Sequence, residues 1–388
     1  DGVSTIVTIS IYMPAIIWLI NSIKNKTVGV NLKEPIFLAL IGLSLSGLVS
    51  SAVNYGFVDA IILFKKTYLK MLIIYLIVVY GCSTLSRLER VAFVMAASGV
   101  IYMLAAFYAV AKDLVTTGYI DYFDIRYYAT VLLFYSPFIF LQVLNHKGRV
   151  KTAWVAAVIG VAVVLVMTGV RTSWVAFFVI LGFWATLTKK TITLSMAVKT
   201  VSVIFLITII IFISFPSQYK LVRGHLFQTT QLTLRFEAWR NFVDMATTKL
   251  YLGYGQDDEV MALRYSEYFS TVNGRLPSKT EPMEPTSPHN QFIKMFYQQG
   301  GIGMLLYAVV LLCLYVRLGI IMYHKRHASI YLIALCLVLS ITGEYFIRIM
   351  FEDRSLIPYS LLIGMVGALT NINTVYDNTK YEHNISSS

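Results

Sequence analysis

The sequence predicts an all-α polytopic membrane protein, and three observations carry that prediction. Hydrophobic residues make up 57% of the 388-residue chain and charged residues 13%, about half the charged share of an ordinary soluble domain. Segments such as 198–215 and 330–346 are long enough to cross a hydrocarbon core of roughly 30 Å as helices. These runs also lack the dyad alternation that a membrane β-barrel requires. A water-facing fold cannot bury so large an apolar excess, so lipid must be the solvent for much of the chain.

About eleven spans are expected, near 6–20, 35–52, 68–82, 91–111, 127–144, 152–168, 173–187, 198–215, 291–316, 330–347 and 355–370. The 68–82 span is short, and Lys65, Lys66 and Lys70 before it can snorkel. Alternate short connections are basic: Lys24, Lys26 and Lys33, then Arg87 and Arg90, then Lys147, Arg149 and Lys151, then Lys189 and Lys190, then Arg317, Lys325 and Arg326. The positive-inside rule assigns these, with the C-terminal tail, to the cytoplasm. An odd number of spans then leaves Asp1 outside, which suggests one more helix before it and twelve in the full protein. The tail after Lys380 is expected to be disordered.

One connection differs from the others. Residues 216–290 form a long external segment, and loops of that length are usually functional or disordered. Here helical periodicity is present, with Leu234, Trp239, Phe242, Val243 and Met245 suggesting one amphipathic helix and Met261, Tyr265, Tyr268 and Phe269 a second. Pro277, Pro282, Pro285 and Pro288 then lead the chain back to the membrane. The expected organisation is N-terminal spans over 1–215, an external helical cap over 216–290, C-terminal spans over 291–370 and a tail over 371–388.

Function classes can be narrowed by composition. Cys82, Cys313 and Cys336 fall in or beside apolar spans without CxxC spacing, which argues against a redox centre or a cysteine zinc site. No Walker A motif occurs, and no His/Asp/Glu spacing makes a metal site. Neither a cofactor nor a nucleic-acid partner is expected. The run Asp257-Asp258-Glu259 is acidic enough for a cation, but a solvated helix start is the better explanation. The net charge of +12 includes arginines at the external edges of spans, Arg171, Arg348 and Arg354. Such residues either pair with Glu344, Glu352 and Asp353 or face a cavity. As a set they suit an anionic ligand outside the cytoplasm, a phosphate or diphosphate matched to guanidinium geometry.

The sharpest local pattern is Ser287-Pro288-His289-Asn290, followed by Gly300, Gly301 and Gly303. Ser287 is expected to cap a helix whose first turn contains Pro288. His289 would stand at its external N-terminus, where the dipole favours a neutral ring able to act as a general base. The competing reading is a histidine that only hydrogen-bonds at an interfacial helix start. Gly300 and Gly303 would let a neighbouring helix approach closely. His225 is a reserve candidate; His146, His324, His327 and His383 gain nothing from their surroundings.

These residues resemble the O-antigen ligase and polymerase superfamily. His289-Asn290 with Gly300 and Gly303 looks like its His-Asn…Gly motif. Thr168-Gly169-Val170-Arg171-Thr172-Ser173-Trp174 is similar to its Ser-Arg-Gly-x-Trp element, with Val170 and Thr172 as departures. Arg235-Phe236-Glu237-Ala238-Trp239 resembles a loop element with Arg before Trp, and Leu252-Gly253-Tyr254-Gly255 the Gly-x-Gly after it. The stretch from Glu344 through Arg348 to Asp353 resembles a late Arg/acid cluster of enterobacterial ligases.

The resemblance implies a GT-C-like, inverting, metal-independent glycosyltransferase of the bacterial inner membrane, acting at the periplasmic face. Its donor would be undecaprenyl-diphosphate-linked O-antigen and its acceptor lipid A–core oligosaccharide, with membrane lipids as surroundings. His289 would be the base, and Arg171, Arg235, Arg348 and Arg240 would hold the diphosphate. Asn290, Gly300 and Gly303 would support them. Two rivals remain open. A polymerase would use a second lipid-linked glycan as acceptor, and a flippase would need a polar path between the faces.

Overall fold

The computed structural model describes residues 34–116, 122–168, 170–188, 230–273, 287–324, 328–344 and 356–386. The spans expected near 6–20 and 198–215, and with them His225, Arg348 and Arg354, lie outside the described residues. Among the described residues regular structure is helical throughout. In chain order the helices are α1 (Pro35–Tyr55), α2 (Phe57–Phe64), α3 (Lys70–Gly81), α4 (Leu85–Thr116), α5 (Tyr122–Asn145), α6 (Gly148–Met167), α7 (Arg171–Leu187), α8 (Thr230–Thr247), α9 (Asp258–Asn273), α10 (Gln291–His324), α11 (Ala328–Thr342) and α12 (Leu356–Ser386). Pro35–Tyr55, Leu85–Asp113, Tyr128–Asn145, Gly148–Met167 and Gln291–His324 are long and apolar enough to cross a membrane, and Thr172–Leu187 and Ala328–Thr342 are shorter apolar helices. The chain is a multi-pass membrane protein.

The residues form two compact units. One contains most of α4 with α5, α6, α7 and α11. Pro137 sits inside α5, where it can donate no backbone hydrogen bond. The Leu133 carbonyl four residues earlier instead accepts from Ser136 Oγ at 3.0 Å. The Cys336 thiol of α11 donates to the Pro137 carbonyl at 3.3 Å, and Ser340 Oγ to that of Phe134 at 3.1 Å. Polar groups on these apolar helices thus satisfy one another where water is absent. Trp174 Nε1, in the first turn of α7, donates to the Leu165 carbonyl at 2.6 Å and fixes how α7 leaves α6.

The other unit contains α1 to α3, α8 to α10 and α12. Glu34 caps α1 by accepting from Phe37 N at 2.8 Å. From Phe57 to Gly81 the backbone is continuously helical, because a π-helical segment, Lys65–Leu69, joins α2 to α3. The short span expected at 68–82 is therefore the second half of a longer stretch. Along α8, Ala238, Asn241, Phe242, Met245 and Ala246 are buried, at the spacing of one helical face. Along α9 the buried set is Met261, Tyr265 and Phe269. Both stripes close over Tyr297 of α10 in one apolar core. Phe242 and Tyr265 stack with ring centres 4.6 Å apart. Helices thus form at both amphipathic stripes and share their core with α10.

Helix α12 has 31 residues, about 46 Å at 1.5 Å per residue. It exceeds a hydrocarbon thickness of roughly 30 Å. The tail after Lys380, expected to be disordered, continues this helix to Ser386, since the residues there include no proline or glycine to stop it.

Candidate active site

His289 lies in a tight turn that the sequence places only partly correctly. Helix α10 starts at Gln291, and its cap is Asn290, whose Oδ1 accepts from Phe292 N at 3.0 Å and Ile293 N at 3.2 Å. Ser287, expected as the cap, accepts instead from His289 N at 3.3 Å, and Pro288 stands before the helix rather than in its first turn. A single residue of the described chain other than glycine has positive φ, and it is His289, at 46°. Left-handed backbone costs an L-residue roughly 1–2 kcal/mol, and histidine tolerates it better than most. The turn is held from outside by Trp239 of α8, whose Nε1 donates to the Pro288 carbonyl at 2.6 Å. His289 is half-buried and Asn290 is buried.

Further along α10, Gly300 breaks the helix with φ 69° and ψ −169°. Backbone groups released there are taken up by the segment between α8 and α9. Tyr254 N donates to the Tyr297 carbonyl at 2.8 Å, Gly255 N to that of Gln298 at 2.9 Å, and Gly301 N to that of Leu250 at 2.7 Å. The kink therefore exchanges intrahelical bonds for bonds to the cap, so buried backbone polarity stays paired. A Cβ on Gly253 would meet Gly300 N and the Tyr297 carbonyl at 2.5 Å. Gly300 does seat a close neighbour, but the turn at Tyr251 and Leu252 rather than the helix expected. Gly303 makes room for the side chain of its own helix's Gln299.

Helix α1 completes this framework. Ser46 Oγ donates to Gln299 Oε1 at 3.0 Å, Ser50 Oγ to the Gln298 carbonyl at 2.6 Å, and Tyr55 OH to the Tyr254 carbonyl at 2.7 Å. Tyr68 of the π segment, fully buried, accepts from both Gln256 and Gln299. Sequence reasoning missed these contributors. Their signal was a run of small polar residues, Ser44, Ser46, Ser50, Ser51 and Asn54, in an otherwise apolar span.

The arginines fall in different settings. Arg235 and Trp239 are four apart on α8 and share a face, about 40° apart at 100° per residue, so Arg235 stands on the side that grips the His289 turn. Arg240 is about 140° around the same helix from Arg235. It is exposed, with Nε 3.9 Å from Asp244 Oδ2, an arrangement typical of a solvated surface pair. Arg171 opens α7 in the other unit, and its side chain lies outside the described residues, as does the whole of Arg348. Asp257 accepts from Glu259 N and Val260 N as the cap of α9, and Asp258 pairs with Lys294 at 3.0 Å. The acidic run is thus a helix start. Among the described residues no three His, Cys, Asp or Glu side chains cluster as a metal site would need.

Residues 155–308 match the family model described as O-antigen ligase. The match supports assigning the chain to the O-antigen ligase family. The matched segment is less than half of the chain but includes the Arg171 element, α8, the Gly253–Gly255 segment, His289 and Gly300. No curated protein matches the chain significantly. Within the matched segment three of the recognisable elements interlock directly. Trp239 bonds the residue before His289, and the Gly-x-Gly segment pairs with the backbone just before Gly300, at Tyr297 and Gln298.

Proposed function

We propose that this protein transfers a glycan from a lipid diphosphate to a sugar hydroxyl outside the cytoplasm, ligating O-antigen to lipid A–core. The observation that carries the reading is His289. It is held in a costly backbone conformation at the junction of the cap core and α10, and strain of this kind concentrates at functional sites.

In the proposed step, His289 takes the proton of the acceptor hydroxyl. The hydroxyl oxygen bonds to the anomeric carbon as the bond to the diphosphate oxygen breaks, and that electron pair leaves with the diphosphate. Arg235 is the arginine we assign to charge developing on the leaving group; Arg171 and Arg348 take that role by resemblance. Loss of one preorganised donor of this sort commonly costs about 10²–10³ in rate.

Single displacement reverses the anomeric configuration. The test is the configuration of the newly formed linkage, read by NMR on product made from an isotopically labelled donor. Inversion is expected; retention would exclude direct attack by the activated hydroxyl.

A further inference from the structure

Two cations on the cap share one tyrosine ring. Lys249 Nζ lies 4.7 Å from the ring centre of Tyr254, and Arg264 Cζ lies 5.1 Å from the same ring and 5.7 Å from that of Tyr55. Their polar contacts are neutral. Lys249 Nζ donates to Asn54 Oδ1 at 2.5 Å, and Arg264 Nη1 donates to the Tyr254 carbonyl at 3.3 Å. Among the described residues neither forms an ion pair with a carboxylate, whereas Arg240 and Lys294 each have one. The nearby acids are committed elsewhere, Asp257 to capping α9 and Asp258 to Lys294 and Gln298. Partial desolvation, and after it the Arg264 charge, holds the exposed Lys249 ammonium below the ordinary lysine value.

The position of the pair indicates the anion it awaits. Asn54 and Tyr55 are the last residues of the apolar span α1. Beside them Phe57 and Val58 are 67% and 71% exposed, and next to Lys249 Leu250 and Tyr251 are 47% and 71% exposed. Positive charge and tyrosine at the end of a span, flanked by outward apolar side chains, match the headgroup level of a bilayer. We infer that Lys249, Arg264 and Tyr254 form a binding site for the phosphate of an anionic lipid headgroup. The site needs only that α1 spans the membrane, so it stands whether or not the glycan transfer proposed above is correct.

The experiment titrates the purified, delipidated full chain in detergent with short-chain phosphatidylglycerol, short-chain phosphatidylcholine or inorganic phosphate, counting bound molecules by native mass spectrometry. Phosphatidylglycerol is expected to bind at least about tenfold more tightly than the other two, and Lys249→Gln/Arg264→Gln to remove that advantage. Lys249→Gln alone, at an exposed side chain, is expected to weaken phosphatidylglycerol binding several-fold and carries the test if the double variant folds poorly. Unchanged phosphatidylglycerol affinity in these variants would overturn the proposal, and so would equal affinity for phosphatidylcholine. Equally tight binding of inorganic phosphate would make it a free-anion site and overturn the lipid assignment.

Discussion

Replacing His289 by alanine is expected to lower the transfer rate by about 10²–10⁴-fold while leaving the fold intact. The side chain is half-buried at the surface of the cap, and the turn around it is held by its neighbours. Asn290 caps α10, Ser287 receives the His289 amide, and Trp239 holds the Pro288 carbonyl. None of these contacts uses the imidazole. His289→Gly sharpens the prediction, because glycine relieves the left-handed strain while gaining chain entropy in the unfolded state. These effects nearly cancel, leaving stability within about 1 kcal/mol of wild type. Both variants should melt close to wild type yet fail to transfer. Near-wild-type turnover in either would remove His289 from the chemistry, and a large fall in melting temperature would make its role structural.

Gly300→Ala should do the reverse and damage the fold itself. Its φ of 69° with ψ of −169° lies in a region open essentially to glycine alone. An added Cβ would collide with the Tyr251 carbonyl group and lie 2.6 Å from Leu252 N. Both are backbone, so relief requires moving the segment that carries the bonds to Tyr297, Gln298 and Gly301. The expected cost is about 3 kcal/mol or more. Gly301→Ala is the matched control, since its Cβ would find only the Leu250 carbonyl, at 3.4 Å. Thermal unfolding of the two variants, side by side, decides the matter. If Gly300→Ala melts with Gly301→Ala, the kink is not the joint described here.

How far the sequence could be read depended on how local each determinant was. Composition and apolar run length sufficed for a helical membrane protein, and the spacing of Phe242 with Met245 and of Met261 with Tyr265 sufficed for α8 and α9. The cap of α10 was not legible, because Ser287 and Asn290 are both good capping residues. The choice between them follows from the pull of Trp239 on Pro288, 49 residues apart in sequence. Gly300 read as a helix-packing glycine for the same reason. Its true partner, the 250–255 segment, becomes visible only once the chain has folded back. Ser50 likewise carries no local signal, since its partner, the Gln298 carbonyl, lies 248 residues away. Arg171 stands out both by its place at the edge of a span and by its motif, and its assignment to the diphosphate rests on the resemblance.

The most direct test of the central claim is transfer in proteoliposomes containing only the purified chain and undecaprenyl-diphosphate O-antigen, with lipid A–core added or omitted. The account predicts O-antigen joined to lipid A–core when the acceptor is present and no product when it is omitted. Elongated lipid-linked glycan formed without lipid A–core, or no transfer under either condition, would contradict it.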